Sequence, residues 1–192
     1  MQFGSVETGD LIFELKKAKD EGIENIQIDE NRLISTNLGE FYQILEEAQF
    51  RRIKMQVTGL LLSDYNIAVE LIRRGVRIFE AEFNHHDHEK HDELAGKGSY
   101  KLILQAIASA YQASIDIDVP AIFHFTLNFD ETHELAEGIR VLSCLSPTHF
   151  RIVGYAPVEH LRAAIRAGNE NSRWVELGNK VDDEELAKRV VL

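Results

Sequence analysis

The sequence predicts an α/β protein in which repeated βα units form a partial TIM-type parallel barrel, with residues 1–192 making a single domain. Three observations predict it. Short segments of alternating apolar residues recur along the chain, each followed by apolar residues at helical spacing. The helical stretches run to about 12 residues, long enough for the crossover between parallel strands. The 192 residues fall short of the roughly 250 that eight such units take. An open doubly wound sheet is the competing architecture.

Each element follows from local signals. Met1 to Val6 reads as a short first strand. Thr8 offers an N-cap, and Leu11, Ile12, Leu15 and Ala18 share a helical face before Gly22 stops the helix. Ile23 to Ile28 alternates as a strand. Asn37 caps a helix with the stripe Phe41, Ile44, Leu45 and Ala48. Ile53 to Val57 is the next strand, and Ser63 caps a helix through Ala68, Leu71 and Ile72, closed by Gly75. Val76 to Phe83 is a strand, and Ser99 caps a helix through Leu102, Ile103, Ala106, Ile107 and Ala110. Val119 to Leu127 is a strand with Pro120 near its start, where proline is tolerated. Asp130 or Thr132 opens a helix to about Leu145. His149 to Val153 is strand, Val158 to Ala167 helix, Trp174 to Leu177 strand and Asp182 to Val190 a final helix.

Composition bounds the function. A hydrophobic fraction of 44% and a charged fraction of 28% are those of an ordinary globular protein. The formal charge of -11 argues against nucleic acid, whose phosphates need a basic face, and against an anionic membrane surface. The lone Cys144 rules out an internal disulfide and suits a reducing cytosol, so a cytoplasmic location is expected. The first residues lack the basic and apolar runs of a signal peptide. No apolar stretch approaches the ~18 residues of a membrane span.

The stretch from Phe83 to Tyr100 resembles the fourth-strand-to-helix segment of radical S-adenosylmethionine (SAM) enzymes, which carries an "hD-x-E-x-H-D" run and a small-residue turn ending in Gly-Ser-Phe. Here it reads Phe83-Asn84-His85-His86-Asp87-His88-Glu89-Lys90-His91-Asp92 and ends in Gly98-Ser99-Tyr100. Met55 to Asp64 is similar to that family's third-strand segment, "i-x-T-N-G-L-L-L-s-d", and Arg74-Gly75-Val76 fits its "L-x-x-x-G-v". Asn128 sits where the family often carries an asparagine. The resemblance covers residues 10 to 155 and rests on framework motifs. It implies a radical-SAM-like fold and, aligned near Glu82, a contact to a ribose.

The chemistry the resemblance would imply is missing. Those enzymes hold a [4Fe-4S] cluster on C-x3-C-x2-C, and this sequence has one cysteine. Only Glu7-Thr8-Gly9-Asp10 separates the first expected strand from the first helix. The glycine-rich segment that meets the SAM methionyl group is replaced by Ile28-Asp29-Glu30-Asn31-Arg32-Leu33, without the glycine pair that lets a backbone approach closely.

Other sites compete. His85, His88 and His91, with His124 on the next strand, are imidazoles at the C-terminal rim of a parallel sheet, where a divalent metal would suit them. No ligand spacing such as H-E-x-x-H appears. The favoured account is therefore that His86-Asp87 and His91-Asp92 order a loop. His124, and His149 at the start of a later strand, are placed to converge on that rim from neighbouring positions. Asp29 and Glu30 lie at a strand end and suit acid–base work or cofactor binding, against the plainer account of a solvated loop. Lys97-Gly98-Ser99 lacks the upstream glycine of a phosphate loop. Cys144 is expected to be buried and inert.

The expected function is a degenerate, non-catalytic radical-SAM-like domain acting as a binding or partner subunit, with no cofactor and no cluster. A protein partner or a homodimer through an open sheet edge is expected. The alternatives are a metal-dependent enzyme on the His85–His91 loop, and SAM or nucleotide binding without radical chemistry through Glu82.

Overall fold

The computed structural model describes residues 10–128, 135–153, 158–171 and 173–177. The strand expected at Met1–Val6, the helix expected at Asp182–Val190 and the helix starts at Asp130 or Thr132 lie outside these residues. Six strands form one sheet in chain order: β1 (Asn25–Asp29), β2 (Arg52–Val57), β3 (Val76–Phe83), β4 (Ile122–Asn128), β5 (His149–Val153) and β6 (Trp174–Leu177). The pairs β1–β2, β4–β5 and β5–β6 are parallel. Seven α-helices are described, α1 (Leu11–Asp20), α2 (Leu38–Ala48), α3 (Tyr65–Arg73), α4 (His88–Ala95), α5 (Ser99–Asp116), α6 (Leu135–Leu142) and α7 (Val158–Glu170). A strand order that never reverses has no topological switch point. It excludes the doubly wound sheet and gives the singly wound pattern of TIM-like barrels.

The chain clusters into two compact units, Met1–Glu80 with Leu102–Ile122, and Ala81–Lys101 with Phe123–Leu192. In the first, Ile26 and Ile28 of β1 lie in register with Ile53 and Met55 of β2, and all four are buried. Their neighbours Gln27 and Asp29 pair with Lys54 and Gln56 on the opposite face. That face is polar but not bare: Lys54 and Glu80 form an ion pair there, each side chain almost wholly enclosed. In the second unit Phe83, Phe125 and Phe150 run edge to face at 5.1 and 5.8 Å. Tyr100 of α5 and His91 of α4 pack on Phe83, so the apolar side of these strands is the helix side. The alternation places Glu82, His124, Thr126, Asn128, His149 and Arg151 on the other side.

Several boundaries differ from the expected ones for identifiable reasons. Asp10, not Thr8, caps α1, and Asp64, not Ser63, caps α3; each carboxylate accepts the amide two residues on. Ser99 is the first residue of α5 rather than its cap. β1 starts at Asn25 and β4 at Ile122, leaving Ile23 and Pro120 outside the strands. The helix expected to reach Leu145 gives way after Leu142 to a 3-10 turn, Ser143–Leu145. Cys144, expected to be buried, is exposed in that turn.

Candidate functional site

The C-terminal ends of β3 and β4 carry a preformed polar cluster. Residues 82 and 84 fall on one side of the strand by its two-residue period, opposite the buried Phe83. Asn128, the last residue of β4, donates through Nδ2 to Glu82 Oε1 and, at 2.7 Å, to Asn84 Oδ1. Glu82 is exposed and both asparagines are half-buried. The cluster presents a carboxylate and two amide groups to solvent at the strand ends, where ligands bind in parallel α/β sheets.

The segment after β3 holds this cluster from behind. The Asn84 backbone N–H donates to His91 Nδ1 at 3.2 Å. His91 is fully buried and its ring stands edge-on to Tyr100 at 5.3 Å. Burial pushes the His91 pKa below its ordinary value, more than Asp92 and Glu82 pull it up; His85 adds to the fall. His91 therefore stays neutral and accepts from Asn84. Asp87 caps α4 by accepting the Glu89 and Lys90 amides, and those amides hold its carboxyl below the usual range. Asp92 accepts from the Tyr100 and Gly98 amides and the Ser99 hydroxyl, and is lowered by them in the same way. The Tyr100 hydroxyl donates back to the His86 carbonyl at 3.0 Å. The loop is thus tied at both ends, as the framework account of His86-Asp87 and His91-Asp92 expects.

The four histidines proposed as metal ligands have separate surroundings. His85 is buried, with Nδ1 accepting the Asp87 amide at 2.9 Å and its ring stacked on His86. His88, at the start of α4, has a side chain 68% exposed. His91 is turned into the core beside Phe83. His124 lies on β4, stacked on His149 of β5. Among the described residues, no three His, Cys, Asp or Glu side chains could hold a metal ion together.

Glu30 and Asp29 are used structurally. Glu30 follows β1 directly and is fully buried. Its Oε2 accepts from the Thr58 and Gly59 amides at 2.5 and 2.7 Å, and its Oε1 from Leu61 and Leu62 at 2.5 and 2.7 Å. The carboxylate clasps the loop after β2 and has no oxygen left for a ligand. Gly59 sits in that loop at φ 89°, and a Cβ there would come within 2.4 Å of the Leu102 carbonyl, so only glycine fits. Asp29 caps the 3-10 turn Glu30–Leu33 through the Asn31 amide at 2.9 Å.

The sequence pointed to Glu82 but missed Asn84 and Asn128 as its partners. The signal was present, since Asn84 follows Glu82 by two residues and Asn128 ends the neighbouring strand. A cluster of the [4Fe-4S] type does not fit these residues: it needs three thiolates, and the one thiol is Cys144, exposed in a 3-10 turn.

No family model matches the chain, and no curated protein matches it in sequence. Solved structures do match. Two are radical SAM enzymes: methylornithine synthase (PylB), at 14% identity and a TM-score of 0.59 over 88% of this chain, and HydG, a maturase of the [FeFe]-hydrogenase, at 9% and 0.60 over 100%. The third is 2,3-dimethylmalate lyase, a PEP mutase/isocitrate lyase superfamily member, at 13% and 0.55 over 93%. The chain spans about half of the first two, 54% and 49%, and 70% of the third. Identities this low show the fold alone: an α/β arrangement like that of radical SAM and PEP mutase proteins.

Proposed function

We propose that this chain is a degenerate, non-radical member of the radical-SAM-like fold, a binding or partner subunit that holds a small hydroxyl-bearing ligand at the C-terminal ends of β3 and β4. The observation that carries this reading is the Glu82–Asn128–Asn84 cluster. A carboxylate flanked by amides suits a vicinal diol, because each hydroxyl both donates and accepts. The ligand class is therefore a ribose-bearing molecule such as adenosine or SAM, bound through its sugar. Catalysis by a radical has no support in a chain with one thiol. The same reading expects a protein partner or second copy at an open sheet edge, which β1 and β6, outermost among the described strands, would offer, and a cytoplasmic location.

Calorimetric titration of the purified chain with adenosine and with SAM tests it. The expected result is one saturable site for at least one of them, weakened at least tenfold in both Glu82→Ala and Asn128→Ala, since each loses about one charge-assisted or bidentate contact. Absence of heat with both ligands at millimolar concentration, or binding unchanged in both variants, contradicts it. Turnover of a substrate by the chain alone also contradicts it.

A further inference from the structure

A histidine pair lies on β4 and the neighbouring β5, nearer the N-terminal ends of those strands. His124 of β4 and His149 of β5 are register partners. Both are half-buried on the face opposite the buried Phe125 and Phe150. Their rings stack at 4.8 Å between centroids, 29° from parallel. That separation is the strand spacing itself, about 4.8 Å, so the backbone fixes the pair without help from loops.

We propose that His124 and His149 form a two-imidazole chelate for a divalent transition-metal ion of the zinc, copper and nickel class. Imidazole is a preferred ligand for these ions. Metal–nitrogen bonds of about 2.0–2.1 Å require the two nitrogens to lie within about 4 Å of each other. Rings already 4.8 Å apart and nearly parallel reach this by turning about χ2, a soft torsion in histidine. Partial burial keeps bulk water from competing freely, and a chain charge of -11 raises the local concentration of cations. Two protein ligands leave the remaining positions to water, on the face that also carries Thr126 and Arg151, which pair in the same register. This pair differs from the tetrad of His85, His88, His91 and His124, which the structure does not assemble. It also shares no residue with the Glu82 cluster, so the two proposals fail separately.

The test is titration of metal-stripped, tag-free protein with Cu2+, followed by calorimetry and by electron paramagnetic resonance of the bound ion. One ion per chain with two coupled imidazole nitrogens is expected. His124→Gln and His149→Gln should each weaken binding at least tenfold, while His88→Gln, exposed at the start of α4, leaves it unchanged. Should either half-buried variant fail to fold, wild-type protein labelled at histidine with diethyl pyrocarbonate provides a second readout. Cu2+ or Zn2+ should then protect His124 and His149 but not His88. Equal affinity in folded His124→Gln and His149→Gln, or no selective protection, overturns the proposal.

Discussion

Removing the Glu30 carboxylate would leave four backbone amides without their acceptors, two of them buried and two part-buried. Each such group costs about 1–3 kcal/mol, partly recovered as the loop relaxes. Glu30→Ala is therefore expected to lose about 3 kcal/mol in chemical denaturation, with Glu30→Gln intermediate because its amide keeps one acceptor oxygen. A loss under about 1 kcal/mol would show that the clasp contributes little. The residue type was legible in the sequence but its role was not. A glutamate at a strand end looks the same whether it meets a ligand or the amides of a loop 28 to 32 residues away.

His91 yields a pH dependence with a definite sign. Burial lowers its folded pKa, while the unfolded value stays near 6.5. The unfolded chain then binds more protons as pH falls, so this contribution to stability is full above about pH 6.5 and is lost below it. The charged and titratable neighbours are Asp92, Glu82 and His85, and their combined effect does not reverse the shift. Melting temperature measured from pH 7.5 to 5 should fall more steeply in wild type than in a folded His91→Phe variant. Parallel curves would contradict the assignment. Folded His91 stays neutral above its own lowered pKa, so it keeps accepting the Asn84 amide where stability first falls.

At the scale of elements, the strands were the most legible part. Their alternation survives in the burial of β1, β2 and β4, and Val76–Phe83, His149–Val153 and Trp174–Leu177 match the expected segments. Helix starts were less legible, because adjacent residues competed to cap: Ser63 and Asp64 are both capping types, and the carboxylate takes the amide. Helix α4 carried almost no periodic signal, since His91 is its one buried residue. It forms because Asp87 caps its start and Asp92, near its end, caps α5. Asp92→Ala should therefore release the start of α5 from α4. Faster amide hydrogen exchange at both Gly98 and Tyr100 and a lower melting temperature are expected, and unchanged exchange at these two amides would contradict the cap.

At the scale of the whole molecule, the repeated βα pattern and the chain length were enough to read a singly wound, barrel-like sheet. The order β1 to β6 agrees with that reading. The polar side of the strands was not legible as a site. Alternation says only that every second residue leaves the helix side, and pairs such as Glu82 with Asn128 or His124 with His149 depend on which strands become neighbours and in what register. The central claim, a radical-SAM-like fold without radical chemistry, is tested most directly by anaerobic reconstitution of the purified chain with iron and sulfide, followed by incubation with SAM and a reductant. The account predicts background iron after desalting and no 5′-deoxyadenosine, since one thiolate cannot hold a cubane cluster. About four irons per chain together with 5′-deoxyadenosine would contradict it.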